Sequence, residues 1–153
     1  MKKITPIKRK DIAKYGKSGD TKDMVRTPFP FPLYLDGDPN LICRNFYGNK
    51  YIAPAVISAF TEILDIYGLQ FIKDNNLDWY GGCYSHRKSR GSDIMSDHAW
   101  GLAVDIVPQL GKFKEPSMIP YHYIQAFLNR GFIWGGNWYT PDGMHMSAIC
   151  NCI

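Results

Sequence analysis

Two histidines and two aspartates, drawn from two separate segments, could support metal-dependent chemistry in this sequence. In the first segment, His98 and Asp105 lie seven residues apart, with Gly101 between them. Residues 103–107 are apolar apart from Asp105 and are followed by Pro108, which predicts a short buried strand around Asp105. An unpaired charge in such a strand is costly, so the carboxylate needs a partner. We expect that partner to be a metal ion shared with His98, which a turn at Gly101 brings beside Asp105.

A second segment near the C-terminus supplies the remaining candidates. His145 opens the apolar run 145–149, and Asp142 precedes it by three residues in a Pro-Asp-Gly turn. A catalytic zinc ion typically has three protein ligands and an open position for water. His98, Asp105 and His145 are therefore predicted to bind one zinc ion per chain. Asp142 is predicted to be the general base for a water molecule at that site.

The elements that position these residues follow from hydrophobic periodicity. Residues 54–67 are predicted to form a helix, because their apolar side chains repeat along one stripe and Gly68 follows. Residues 119–130 form a second predicted helix, ended by Gly131, and residues 77–84 a strand. The predicted fold class is α+β. In this single domain a small antiparallel sheet holds the metal ligands and packs against two main helices.

Three prolines restrict the segment 27–33. Proline fixes φ and donates no backbone hydrogen bond, so the segment is expected to be neither a helix nor a central strand. We expect an extended stretch whose two phenylalanines, Phe29 and Phe31, pack on the domain.

Positive charge is concentrated at the N-terminus. Residues 1–26 hold nine Lys or Arg against three Asp, whereas the whole chain has a net charge of +4. We interpret residues 1–26 as a basic, mainly solvated arm able to contact anionic surfaces, and residues 27–153 as the catalytic domain. Aromatic residues are not interleaved with the basic ones, so nucleic acid is not an expected partner.

Length and composition narrow the class of protein further. A chain of 153 residues with 45% hydrophobic residues suits one domain with one core, and we expect a monomer. No apolar run approaches the ~20 residues of a membrane helix. The basic start is not followed by the apolar stretch of a secretion signal. We therefore expect the protein to stay in the cytoplasm of the producing cell until release, with its four cysteines as free thiols.

The two motifs together resemble a known family. Ser-x-His-x-x-Gly-x-Ala-x-Asp at 96–105, followed by Asp-x-x-His at 142–145, is similar to the signature of the zinc D-alanyl-D-alanine carboxypeptidase and L-alanyl-D-glutamate endopeptidase family. That family includes VanY-like peptidases and phage endolysins. The stretches 98–101 and 131–138 resemble its phage branch in particular. The resemblance is firm over residues 80–148, which we treat as the motif core of the domain.

The resemblance implies a zinc metallopeptidase that hydrolyses a stem-peptide bond of bacterial peptidoglycan. The phage-like stretches favour an L-alanyl-D-glutamate endopeptidase of the endolysin type, which degrades the cell wall after release or as a component of a bacteriophage virion. D,D-carboxypeptidase action is the near alternative. A non-catalytic wall-binding or virion protein that kept the fold is an alternative from another class.

The resemblance also implies roles for residues around the ligands. Family members have an arginine upstream of the first motif that binds substrate and polarises the scissile carbonyl. Arg87 matches that position best, and Arg90 is the second candidate. Ser96 is expected to support a ligand or its loop through a hydrogen bond. Independently of the resemblance, the tryptophans Trp100 and Trp138 are expected to contribute to the cleft or to the core, because large aromatic residues near glycines usually pack there.

Overall fold

Short β-rich segments at both ends of the chain and an apolar helix between them build a sheet covered by helices. The computed structural model describes residues 1–152, so residue 153, the last of the predicted catalytic domain, lies outside the described residues. The strands are β1 (Ile7–Lys8), β2 (Met24–Leu35), β3 (Ile42–Asn49), β4 (Trp79–Gly82), β5 (Ala103–Ile106), β6 (Ile133–Trp134), β7 (His145–Ser147) and β8 (Ile149–Cys150). The α-helices are α1 (Ala53–Tyr67), α2 (Leu69–Asp74) and α3 (Tyr121–Leu128). Short 3-10 helices span Arg9–Tyr15, Asp97–Trp100 and Gly135–Asn137.

Six strands form the main sheet, in the order β3-β2-β4-β5-β7-β6. All neighbours are antiparallel except β2 and β4, which pair in parallel through Tyr34–Trp79 and Leu35–Tyr80. The predicted α+β class is confirmed, but the sheet is mixed. The parallel pair arises because β3, α1 and α2 intervene between β2 and β4 and return the chain in its original direction. The two strands that hold the predicted ligands, β5 and β7, are antiparallel neighbours as expected.

The proline-containing segment departs from the expectation, because it lies inside β2, between β3 and β4. The register between β2 and β3 shifts between Pro28 and Leu33, and β4 pairs only with the last two residues of β2. Prolines are tolerated there because the irregular stretch does not require their missing N–H groups. Phe29 and Phe31 are buried, as predicted.

The apolar stripe of α1 forms the centre of the core. Phe60 has no exposed surface, and its ring meets four others edge to face. Two of these rings, Phe29 and Phe31, come from β2, and two, Tyr123 and Phe127, come from α3. Phe60 thus joins the sheet to both main helices. Within the part of the chain that the structure describes, no helix has the length and apolarity to cross a membrane.

The N-terminal residues pack on the domain more closely than a solvated arm would. β1 pairs in parallel with β8, and the backbone N–H of Ile4 donates to the carbonyl of Arg130 at 2.9 Å. Ile7 is buried, because it covers the strand at the C-terminal end of the chain. The predicted boundary after residue 26 falls inside β2, and the division into arm and domain stays a prediction.

The cysteines follow the expectation in part. Cys43 and Cys83 are free, and Cys83 is buried. Cys150 and Cys152, expected to be free, are joined in a disulfide despite being two residues apart. Their Cα atoms lie 5.2 Å apart, which is within the range that a disulfide spans.

The central role of Phe60 makes a stability prediction. Phe60→Ala should lower the free energy of unfolding by about 3–5 kcal/mol, because it removes a ring packed by both helices and the sheet. Ile66→Ala, an exposed position on the same helix, should change it by less than about 0.5 kcal/mol. Urea unfolding followed by circular dichroism measures both. Equal effects of the two substitutions would contradict this account of the core.

Candidate metal centre

The first motif folds into one 3-10 turn followed by a strand. Ser96 precedes the turn, and its hydroxyl accepts a hydrogen bond from the His98 backbone N–H at 3.3 Å. Gly101 closes the turn at φ +64°, a left-handed conformation that favours glycine. β5 then runs back past the turn, so that His98 Nε2 lies 3.2 Å from Asp105 Oδ1. Local sequence therefore accounts for the meeting of the first two candidate ligands.

The third candidate reaches the same place through the sheet. Asp105 on β5 is the register partner of His145 on β7, and His145 Nδ1 lies 3.4 Å from Asp105 Oδ1. One ligand atom from each of His98, Asp105 and His145 lies within 4.8 Å of the others, and all three residues are buried. The structure thus brings together two imidazole nitrogens and a carboxylate oxygen that the sequence separates by up to 47 positions.

The remaining ring nitrogens are occupied in a way that suits metal binding. His98 Nδ1 lies 2.6 Å from the carbonyl oxygen of Cys83, so this nitrogen bears the proton and leaves Nε2 free. His145 Nε2 faces Asp97 Oδ2 at 3.6 Å, which leaves Nδ1 directed at Asp105. Two neutral imidazoles and one carboxylate are a ligand set that zinc accepts. The residues present therefore fit a zinc ion.

Burial and neighbouring charges shift the pKa values of the residues in the cluster. Burial alone would raise the pKa of Asp105, but the neighbouring His98 and His145 hold it well below its usual range. Burial would lower the pKa of His145, but the nearby carboxylates of Asp105 and Asp97 raise it to about 9. The pKa of Asp97 falls to about 2, because His145 and Arg9 outweigh its burial. Before metal binds, the His145 ring is therefore cationic near neutral pH.

Asp142 stands in a turn whose backbone is fixed at both ends. Its N–H donates to the Gly135 carbonyl at 2.9 Å, and its own carbonyl accepts from the His145 N–H at 3.1 Å. Asp142 Oδ1 is buried and has no hydrogen-bond partner among the described residues. Burial and the negative charge of Asp105 raise the pKa of Asp142 above its ordinary value. An unpaired, buried carboxylate oxygen suits a group that exchanges protons with a bound reactant.

A cavity of about 280 Å³ opens over the cluster. The Trp138 ring forms part of its wall, with its centroid 5.2 Å from that of His145. Trp100 lies elsewhere: its indole N–H donates to the Gly16 carbonyl at 2.9 Å, and its ring packs against the hydrophobic core. The other predicted site residues border the cavity, and they are Arg87, Arg90, Ser96, His98, Asp105, Trp138, Asp142 and His145.

Two residues that contact the cluster are missing from the sequence-based prediction. Asp97 is buried beside His145, Arg9 binds Asp97 from the N-terminal segment, and both residues border the cavity. A buried acid between Ser96 and His98 could have been suspected, because both of its neighbours belong to the motif. Arg9 gives no such signal, since its partner is 88 positions away.

Comparison with known proteins supports the resemblance noted from the motifs. A family model described as D-alanyl-D-alanine carboxypeptidase matches residues 90–148. The matched stretch contains all three candidate ligands and Asp142. No curated protein and no solved structure matches the chain.

The charge state of His145 makes a prediction for metal binding. Zinc requires a neutral ring, so loading the apo protein at pH 7 should release about one proton from His145, whose pKa is about 9. Zinc affinity should accordingly rise as the pH is raised from 6 towards about 9. Isothermal titration calorimetry in two buffers of different ionisation enthalpy measures the protons released and the stoichiometry, expected to be one zinc per chain.

Two substitutions make this measurement specific. His145→Ala should weaken zinc binding strongly and abolish the proton release, whereas His122→Ala, an exposed histidine on α3, should change neither. Binding by the wild-type protein without proton release would contradict the assigned charge of His145.

Proposed function

We propose, from its similarity to the D-alanyl-D-alanine carboxypeptidase family, that this chain is a zinc-dependent peptidase of bacterial peptidoglycan. The main support is the buried convergence of His98, Asp105 and His145 beneath a cavity that Asp142 also borders. A purely structural cluster would need neither an adjoining cavity nor a buried carboxylate oxygen that lacks a hydrogen-bond partner among the described residues.

His98 Nε2, His145 Nδ1 and a carboxylate oxygen of Asp105 would hold the ion. A bound zinc ion lowers the pKa of a water molecule and polarises a carbonyl oxygen. The protein orients the ligands in advance, since the Cys83 carbonyl binds the other ring nitrogen of His98 and Asp97 faces the other ring nitrogen of His145. The cluster is thus pre-organised to receive the metal.

Asp142 is proposed as the general base and then the general acid. Its carboxylate accepts a proton from the attacking water as the water oxygen bonds to the scissile carbonyl carbon. The same proton passes to the leaving nitrogen as the C–N bond breaks, giving a free carboxylate and a free amine. The raised pKa of Asp142 supports this role, because a carboxyl group with a higher pKa donates and accepts protons nearer to neutral pH.

An arginine is proposed to bind the substrate and to stabilise the developing negative charge on its carbonyl oxygen. Arg87 and Arg90 both border the cavity. Within the part of the chain that the structure describes, the Arg87 guanidinium makes one long hydrogen bond, at 3.4 Å to the Lys88 carbonyl, which leaves donors for a ligand. Arg90 packs over the Phe113 ring at 5.2 Å, and its charge acts on Asp142. We assign the substrate role to Arg87, with Arg90 as the second candidate.

The bond between L-alanine and D-glutamate is the proposed point of cleavage. The resemblance of residues 98–101 and 131–138 to phage endolysins favours this endopeptidase activity and a role in wall degradation after release or in a virion. The description of the matching family model favours D,D-carboxypeptidase action instead. The products distinguish the two, because an endopeptidase exposes a new D-glutamate amino terminus and a carboxypeptidase releases free D-alanine.

Asp142 provides the test of the enzymatic proposal. Zinc-loaded wild-type protein should release D-glutamate amino termini from purified peptidoglycan, identified by mass spectrometry. Asp142→Asn should lower the rate by about 10²–10⁴-fold without loss of bound zinc, because it removes only the proton acceptor. Asp93→Asn, an exposed acid outside the cavity, should cleave at the wild-type rate.

One result would contradict the endopeptidase assignment, and another would contradict the enzymatic proposal as a whole. Release of D-alanine alone would replace the endopeptidase assignment with the carboxypeptidase one. A wild-type protein that binds zinc and peptidoglycan but releases no product would favour the non-catalytic class of wall-binding or virion proteins.

The two arginines can be separated by kinetics on a soluble stem peptide. Arg87→Ala should lower kcat by about 10²–10³-fold, as expected when a donor to the developing oxyanion is removed. Arg90→Ala should have a smaller effect, and Arg44→Ala, an exposed arginine away from the cavity, none. A larger loss for Arg90→Ala than for Arg87→Ala would transfer the substrate role to Arg90.

A further inference from the structure

We propose that Asp97 and Arg9 form a positioning pair that fixes the ring of His145, so that the N-terminal segment is a functional part of the metal centre. The inference rests on the proposed function, because it assumes that His145 binds zinc. It goes beyond that function in assigning a role to two residues outside the ligand set, one of them in the segment expected to be a solvated arm.

Asp97 is held from three sides. One carboxylate oxygen, Oδ2, accepts a hydrogen bond from the Ser147 hydroxyl at 2.6 Å and faces His145 Nε2 at 3.6 Å. The other oxygen, Oδ1, is bound by the Arg9 guanidinium. The Asp97 side chain is only 6% exposed, so these contacts replace nearly all of its hydration.

The backbone explains why Asp97 reaches His145. Asp97 is the first residue of the 3-10 turn, directly before His98. Two consecutive residues therefore contribute to the centre, one as a candidate ligand and the other as a contact of His145. His98 directs its Nε2 at Asp105, whereas Asp97, which also borders the cavity, faces Nε2 of the other histidine. Ser147 follows His145 by two positions on β7 and therefore faces the same side of the strand. Asp97 thus ties the first motif to the strand of the second.

Arg9 is brought to Asp97 by the pairing of the chain ends. In the parallel pair of β1 and β8, Lys8 lies beside Cys150, and Arg9 comes next along the chain. Its Nε donates to Asn151 Oδ1 at 3.1 Å, which orients the guanidinium while Nη1 binds Asp97. Without this cation, the carboxylate would be buried beside a neutral, metal-bound imidazole, an arrangement that costs free energy. Arg9 therefore stabilises the charge that Asp97 needs.

Asp97 determines which ring nitrogen of His145 carries the proton and which one can bind the metal. A carboxylate facing Nε2 favours the proton on that nitrogen and leaves Nδ1 as the metal ligand. Partners of this kind typically contribute 10–100-fold to metal affinity. The ring orientation and affinity should both depend on Asp97 and, through it, on Arg9.

Substitutions at both positions test the proposal in the full-length chain. Asp97→Ala should raise the zinc Kd by about 10–100-fold in competition with a chromophoric chelator. Arg9→Ala should shift it in the same direction by less, and Arg9→Lys, which keeps the charge but not the fork, should lie between Arg9→Ala and wild type. Lys10→Ala, an exposed cation next to Arg9, should leave the Kd unchanged.

Nitrogen-15 NMR of the histidine rings separates positioning from general stability. In the zinc-loaded wild type, His145 should have its proton on Nε2 and its ligand nitrogen at Nδ1. In Asp97→Ala, the Nε2 proton of His145 should exchange faster with water, and its resonance should move or broaden. The resonance of the His98 Nδ1 proton should stay in place. Should Asp97→Ala fail to fold, Asp97→Asn, which keeps the side-chain shape, is judged by the same two criteria.

Wild-type zinc affinity and an unaltered His145 spectrum in folded Asp97 and Arg9 variants would overturn the proposal while leaving the zinc centre intact. A wild-type chain that binds no zinc would instead overturn the proposed function, and this inference with it. The two failures are therefore distinguished by the wild-type titration.

Discussion

The antiparallel register between β5 and β7 places Asp105 opposite His145, and the whole candidate site depends on this pairing. Side chains alternate between the faces of a strand, so a slip of one residue would turn His145 away and present an apolar methionine, Met146, instead. Met146 has no exposed surface, which means that the hydrophobic core on the far side of β7 selects the register. Hydrophobic packing of Met146, which has no role in the chemistry, thus determines that Asp105 and His145 lie side by side at the cavity.

Burial gives the cluster its electrostatic character. Asp105 is surrounded by imidazoles, and Asp97 by an arginine, a hydroxyl and an imidazole, so neither carboxylate is left without a partner. Asp142 differs, because one of its oxygens is buried and accepts no hydrogen bond from residues 1–152. The raised pKa of Asp142 and the lowered pKa values of the other two acids are consequences of this difference. Three aspartates in one site are therefore set up for different tasks by their surroundings.

Much of this arrangement could be predicted because the relevant signals are local. The spacing of His98 and Asp105 around Gly101 anticipates the turn and strand that bring them together, and the apolar stripe of α1 anticipates the core. The interactions that were missed are long-range. Arg9 meets Asp97 only because β1 pairs with β8, and no local pattern in a two-residue strand predicts its partner. The expectation that the prolines keep residues 27–33 out of a central strand was wrong for a related reason. β2 accommodates them because its register with β3 is irregular, and that register is a property of the strand pair.

The central claim is that His98, Asp105 and His145 bind one ion in common. Diffraction data collected on both sides of the zinc absorption edge, from crystals of the zinc-loaded protein, test it most directly. We predict one anomalous peak per chain, roughly 2.0–2.2 Å from His98 Nε2, His145 Nδ1 and an Asp105 oxygen. A protein loaded with zinc that shows no peak at these atoms, or a peak held by other residues, would contradict the account.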